Sequence, residues 1–507
     1  MTGPAPGTVG PLSAVVLRIC DQAERRGVAE LRSAVAPVRA ALTEPLRVAV
    51  LGSVNAGKST LVNALVGRSV APTRATECTR LVTAYRYGHP ELVEIHLRSR
   101  EIRRIPLTRA GTLPDELGVP TEDVDHLEVM LSQQVLRTLT LVDTPGLGSL
   151  NIETSDRTAE FIGASGGAAV AATVDAVIAV FSADIRTVET DVLRRFRATS
   201  GGGPAQSPVN AFGVLSKADL LGRIQDPWPE AEELAGDFSR RLSDQLAGVA
   251  PIAGLLAETV AVGGFTESDA DAVAALSTLP AAERRALLRS GEHFTGRPAP
   301  VSGQVRDRLW CRLAPYGLSV AFEAVDRGAH GAAAITAALH RASRVDALHE
   351  RVTGQFARRA DALKASAALA RLEHLAFDRT LARPDRLWLA DTVEAARLSP
   401  ELHRLIELQA VIETTAGEVT LPDRLTEALL ALAERDDPAD RLGLAAGTAP
   451  EASARRAREL SDDFRLFAFS AAPREQRIAS VGHRACQLLL DQLERDRSVG
   501  STLGASS

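Results

Sequence analysis

The 507-residue chain predicts an α/β domain on a mainly parallel, doubly wound sheet, joined to an elongated α-helical bundle. Three observations carry that prediction. Short apolar, β-branched runs alternate with helical stretches from Leu46 to about Gly254. After about residue 255 those runs stop, and apolar residues recur at helical spacings of three and four. Between the first strand-like run and the helix that follows stands a glycine-rich turn, "GSVNAGKS". A chain of this length is expected to hold two to three domains.

Taken in order, residues 13–43 read as a helix, with Val16, Ile19, Ala23, Leu31, Val35, Val38 and Leu42 on one stripe and a kink at Pro37. The runs "LRVAVLG", "RLVTAYRYG", "LVEIHLR", "RTLTLVD", "DAVIAVFS", "NAFGVLS" and "VAPIAG" read as strands, and "GASGGAAVAA" and "SGGGPAQSP" as mobile loops. One long helix is expected over 332–366, with Ile335, Leu339, Val345, Leu348, Val352, Phe356 and Leu363 on one face. Others follow near 396–413 and 422–434, then a polar linker near 435–452 and a helical region from Ala457 to Gln492. The expected divisions are an N-terminal helix in 1–44, the α/β domain in 45–258, helices in 259–450, returning helices in 451–497 and a disordered tail in 498–507.

Composition narrows the function. A hydrophobic share of 45% is enough for real cores, and a net charge of −6 lacks the global basic footprint of a nucleic-acid binder. Cys20, Cys78, Cys311 and Cys486 are far apart and form no C-x-x-C pair. This argues against a zinc site or disulfide framework and fits a reducing cytoplasm. No apolar run approaches the ~20 residues of a membrane-spanning helix, and no secretion signal is visible. Any membrane contact is expected to be peripheral.

Lysine usage picks out the chemistry. Only Lys58, Lys217 and Lys364 are lysine, so 55 of the 58 basic residues are arginine (58 − 3). Gly52-Ser53-Val54-Asn55-Ala56-Gly57-Lys58-Ser59, followed by Thr60, fits G-x-x-x-x-G-K-[ST] after a strand and before a helix. The glycines let main-chain N–H groups turn around the α- and β-phosphates, with the helix dipole aimed at them. Lys58 would meet the β- and γ-phosphates as a compact charge, and Ser59 would offer a hydroxyl to Mg²⁺. "LVDTPG" ends a strand with Asp143, which would hold Mg²⁺ through water, and Gly146, whose amide would sense the γ-phosphate. "SKAD" ends another strand with Ser216, Lys217 and Asp219. A carboxylate at Asp219 accepts two hydrogen bonds from guanine N1 and N2, a donor pair that adenine lacks, while the Lys217 stem lies along the base. Three lysines scattered over 58 basic positions would occupy both motif sites about 0.2% of the time, so the two motifs support each other. The expected ligand is GTP rather than ATP. For the switch threonine that closes over Mg²⁺ and γ-phosphate, spacing leaves both Thr76 and Thr79 within reach.

The segments "LGSVNAGKSTLVNALVG", "VAPTRATECTRLVTAYRYG", "LVDTPG", "VDAVIAVFSAD" and "SKAD" resemble those of the bacterial dynamin-like GTPases, specifically the mycobacterial isoniazid-inducible group. The resemblance covers the α/β domain closely. The helical remainder matches it in length and character. It implies that Thr79 is the switch residue, and the 64-residue separation from Thr79 to Asp143 (143 − 79) agrees with the extra strands such domains carry. It implies a neck built from the 13–43 and 453–495 helices and a trunk drawn from 300–435. Dynamins place a glutamine where this chain has Val54, and Leu147 replaces the glutamine of small signalling GTPases. Asn55 resembles the residue that holds K⁺ in cation-dependent GTPases, or else it only stabilises the loop turn. Hydrolysis is accordingly expected to be slow in the monomer and stimulated by K⁺ and by pairing of GTPase domains. The segment 374–392, with Phe377, Leu381, Arg383, Arg386 and Trp388, reads either as a membrane-facing tip or as an ordinary turn with Trp388 packed inward. The leading expectation is a mechanoenzyme at the inner face of the cell membrane. The alternatives are a poorly hydrolysing partner of a paralogous dynamin-like protein and a ribosome- or RNA-associated GTPase.

Overall fold

The computed structural model describes residues 9–72, 81–145, 174–199 and 210–504, apart from 353, 355, 357, 358, 416, 418 and 436. Its described strands form one nine-stranded sheet in the order β4-β3-β5-β2-β6-β1-β7-β8-β9. They are β1 (Leu46–Gly52), β2 (Thr83–Tyr87), β3 (Leu92–Leu97), β4 (Ile102–Ile105), β5 (Val124–Leu131), β6 (Leu139–Asp143), β7 (Ala176–Phe181), β8 (Ala211–Leu215) and β9 (Val249–Pro251). From β6 through β1, β7 and β8 to β9 the strands run parallel. β2 joins β6 antiparallel and pairs β5 in parallel, and β3 lies antiparallel to both β5 and β4. The interior strands β7 and β8 are buried throughout, because side chains on both faces of the parallel half meet a core. One face packs Val48, Val50, Ile178 and Val214 with the Lys58–Val66 helix, and the other packs Ala49, Val177, Phe181 and Leu215 with Phe196 and Phe238.

All seven strands expected from the sequence are present, and two more stand beside them. β5 escapes a pattern search because Val124, Leu127 and Leu131 fall at helical spacings, although its register against β3 makes it a strand. β4, "IRRI", is an edge strand with three exposed residues and little apolar signal.

The helical expectations change in four places, one of them the tail expected to be disordered from 498, where the Pro473–Gly504 helix runs on to Gly504. The 13–43 helix is two, Pro11–Arg25 and Ala29–Thr43, separated at Gly27 (φ 75), and Pro37 lies inside the second. The long 332–366 helix is divided among Gly331–Ser343, Val345–Val352 and a helix beginning at Ala360 that runs to Phe377. Arg344 (φ 61) makes the first break, and the single apolar stripe then serves two cores. Ile335 and Leu339 join a core of helices 254–343, whereas Val345, Leu348, Val352, Phe356 and Leu363 insert into the core of the sheet. The helix expected near 396–413 is split between Arg383–Arg397 and His403–Thr415.

A fourth core gathers the two N-terminal helices with Ala360–Phe377 and the helices that follow to Leu493. Two contacts fix this bundle. The Asp361 carboxylate accepts the Leu12 and Ser13 N–H groups, both at 2.9 Å, and so caps the Pro11–Arg25 helix, which has no cap from its own Gly10. Asp175, ahead of β7, accepts from the Arg47 N–H at 3.0 Å and pairs with Arg371 at 3.3 Å, tying the base of the sheet to the bundle. In the 374–392 segment, Trp388 packs against the bundle core with the Arg26 guanidinium 4.8 Å over its ring, and Leu381 is buried. Phe377 stays 76% exposed, so the inward reading holds for Trp388 and not for Phe377.

Candidate nucleotide site

Three sequence motifs converge at the C-terminal ends of β1, β6 and β8, where loops of a parallel sheet open onto a crevice. The strand β1 delivers the glycine-rich loop. A Cβ on Gly52 would stand 2.5 Å from the Val180 carbonyl oxygen, so the close approach of β1 to β7 requires glycine there. Gly57 (φ 97) sits at the N-cap of Lys58–Val66 in a left-handed conformation, and no side chain caps that helix. Its N-terminal main-chain amides are therefore left to an outside acceptor. Asn55 (φ 62) also holds a left-handed conformation, which asparagine tolerates better than most residues.

Lys58 is only 8% exposed, and its ammonium donates to the Gly52 and Ser53 carbonyls, both at 3.1 Å. Burial lowers its pKa, opposed by the charges of Asp143 and Glu189. The Ser59 hydroxyl donates to Asp143 Oδ2 at 3.0 Å, while Asp143 Oδ1 is buried without a hydrogen-bond partner. Burial raises the Asp143 pKa against the pull of Lys58 and the Ser59 hydrogen bond. Buried ammonium and carboxylate groups of this kind gain from additional counter-charge. A hydroxyl beside a carboxylate with one unsatisfied oxygen is the hard-oxygen donor set that suits Mg²⁺. Thr144 donates its hydroxyl to the Val50 carbonyl at 2.8 Å and locks β6 to β1 behind the loop.

The third motif is tied directly to the first. The Ser216 hydroxyl contacts the Ala56 carbonyl and also the Phe181 carbonyl at 3.0 Å, joining the end of β8 to the glycine-rich loop. Lys217 (φ 55) turns out to solvent, and Asp219 lies half-buried one turn on. Burial raises the Asp219 pKa, countered by its own backbone and by Lys217. Val54 is 44% exposed on the loop and carries no group able to orient a water. Beside Thr60, the Glu258 carboxylate accepts from Asn63 at 2.6 Å, and burial raises its pKa against the hydrogen bonds of Asn63 and Thr60. Thr79 and Gly146 lie outside the described residues, as do Thr76 and Leu147.

Sequence reasoning missed Glu189. This residue is 3% exposed, at the start of the Thr187–Thr199 helix, and its Oε1 accepts the Ser53 N–H at 3.2 Å. Its Oε2 accepts the Arg186 N–H at 3.0 Å, the reach-back of a capping residue. One carboxylate thus starts a helix and pins the glycine-rich loop. The signal available in sequence was only "RTVE", a threonine and glutamate at a helix start.

The sequence relatives agree with these motifs. Residues 48–200 match the sequence profile of the dynamin family. The chain is 33% identical over 398 residues, 76% of its own length and 77% of the relative's, to the isoniazid-induced protein IniC of Mycobacterium tuberculosis. It is 32% identical over 114 residues, 20% of its length and 16% of the relative's, to a bacterial dynamin-like protein of Nostoc punctiforme. Among solved structures, a chain of an oligomerised bacterial dynamin pair aligns with 96% of this chain and 92% of its own, at 11% identity and a TM-score of 0.35. Motifs, sheet and relatives together place this chain in the dynamin family, among the bacterial dynamin-like proteins similar to the mycobacterial isoniazid-induced ones.

Proposed function

We propose that this chain binds and hydrolyses GTP and works as a mechanoenzyme at a membrane surface. The observation that carries the nucleotide part is the convergence of Lys58, the Ser59–Asp143 pair and the Ser216–Asp219 turn at the C-terminal ends of β1, β6 and β8. Main-chain amides from Gly52 to Thr60 would cradle the phosphates, Lys58 would leave the two carbonyls for the β- and γ-phosphates, and Asp219 would read guanine with Lys217 along the base. Mg²⁺ held by Ser59 and Asp143 would supply counter-charge to the phosphates when bound. Thr79 and the Gly146 amide would make the switch contacts to Mg²⁺ and the γ-phosphate.

Val54 supplies no water-orienting side chain, so turnover by the monomer is slow. Two aids are proposed: K⁺ at Asn55, and pairing of GTPase domains with a second copy or a paralogous dynamin-like partner. The membrane part is supported by family membership and by the exposed Phe377 and Arg383 at one bundle turn, with no helix among the described residues long and apolar enough to cross a membrane. The site of action is proposed to be the cytoplasmic face. Hydrolysis measured against protein concentration, in Na⁺ and in K⁺, with and without acidic liposomes, tests all three parts. Rising turnover per molecule with concentration, K⁺ and liposomes is expected, and a rate indifferent to all three refutes the mechanoenzyme reading.

A further inference from the structure

The antiparallel wing of the sheet carries a second cluster, remote in character from the phosphate loop. β3 and β5 pair with His96 opposite His126 and Glu94 opposite Glu128. Because side chains alternate along a strand, these four share one face. The two imidazoles stack at 4.3 Å between centroids and 15° between planes. His126 is 5% exposed and Glu128 is 7% exposed. The Nε2 atoms of both histidines are buried and have no hydrogen-bond partner.

Buried polar atoms are nearly always paired, so two orphaned nitrogens side by side call for an explanation. The surroundings suggest one. The Asp125 carboxylate lies 2.9 Å from His126 Nδ1 and holds the proton there, leaving Nε2 as a lone-pair donor. Metal-binding histidines are oriented in this way by a carboxylate on the other ring nitrogen. Glu128 is steadied by Arg86, whose Nη1 donates to Oε2 at 2.7 Å. One donor atom from each of His96, His126 and Glu128 lies within 4.8 Å of the others.

We propose that His96, His126 and Glu128 bind one divalent transition-metal ion of the Zn²⁺ class, which clips β3 to β5. Two imidazoles and one carboxylate favour such an ion over Mg²⁺ or Ca²⁺, which take oxygen donors. Zinc bonds of 2.0–2.1 Å set donors roughly 3.4 Å apart, so the side chains close by about 1.4 Å on binding, within reach of χ rotations. The stacked rings must turn toward a common point for this to happen. Glu94, whose Oε2 lies 3.8 Å from His96 Nε2, stands next to any open position. Cysteine spacing alone argued against zinc; this site uses none. The site bears no relation to the nucleotide reading and survives its failure.

The test uses the full chain, stripped with EDTA and titrated with Co²⁺, whose visible absorption reports nitrogen and oxygen coordination. One tightly held equivalent is expected. His126→Asn and Glu128→Gln should each weaken binding at least tenfold while far-ultraviolet circular dichroism stays unchanged. For any variant that fails to fold, X-ray absorption of the Zn²⁺-loaded wild-type chain decides, and two imidazoles in the first coordination sphere are expected. The proposal is overturned by no stoichiometric uptake, by uptake undiminished in both variants, or by a sulfur-containing coordination sphere.

Discussion

Replacing Glu189 with alanine tests whether one carboxylate sets the shape of the glycine-rich loop. In the folded chain it accepts from Ser53 at 3.2 Å and from Arg186 at 3.0 Å. These two donors differ in what they lose. Arg186 is exposed, so its freed N–H turns to water, and the loss is that of a helix cap, about 1 kcal/mol. Ser53 is 2% exposed, and its N–H would be left buried and unpaired, at about 1–3 kcal/mol. The sum is about 2–4 kcal/mol. Glu189→Gln keeps a carbonyl acceptor and should lose less, about 1–2 kcal/mol. Urea unfolding reads both variants. The loop residue whose amide is freed stands five positions from Lys58, so a slackened loop must be reordered on binding, and affinity for a guanine nucleotide should fall about tenfold in the alanine variant, or ~1.4 kcal/mol. A loss of stability below ~0.5 kcal/mol refutes the accounting. Lost stability with unchanged nucleotide affinity refutes the claim that Glu189 prepares the loop.

Three further outcomes are expected. Asp361→Ala removes the cap from the Pro11–Arg25 helix and should cost about 1–2 kcal/mol in urea unfolding, with Asp361→Asn recovering part of it. Hydrogen bonds from Ser132 and Arg68 hold the Glu91 carboxyl down to about 2 from an ordinary 4.5. Since the folded pKa is depressed, its stabilisation is complete above the ordinary value and is lost as pH falls toward 2. Solvent screening reduces what this shift is worth, so the gap between wild type and Glu91→Gln should be about 1 kcal/mol at neutral pH and close in acid; a gap constant with pH contradicts this. Burial pushes the Cys20 and Cys486 thiols up to about 12, whereas Cys311 is exposed. In a Cys78→Ser background, one thiol should react rapidly with a disulfide reagent under native conditions, and two or three rapid equivalents would contradict the packing.

What was legible in sequence was local. The glycine-rich loop, Asp143 and the Ser216–Asp219 turn each occupy a few consecutive residues, and each follows an apolar strand that announces itself. The stripe from Ile335 to Leu363 was also read correctly as apolar. Its partition between two cores hinges on Arg344 taking φ 61, which no periodicity encodes. Glu189 meets Ser53 across 136 positions, and His96 meets His126 only through strand register. β5 was hidden by an apolar spacing equally suited to a helix. Contacts made by register and chain crossing are set by tertiary packing, and a single sequence does not display them.

In the proposed reading Asp219 reads the base, and Lys58 and the loop amides hold the phosphates. Competition against a fluorescent guanosine triphosphate analogue, with unlabelled GTP and ATP in turn, measures both at once. Displacement by GTP but not by ATP, with binding abolished in the Lys58→Ala variant and base preference lost in Asp219→Ala, is the predicted result. Equal displacement by ATP, or an Asp219→Ala protein that still prefers GTP, would contradict it.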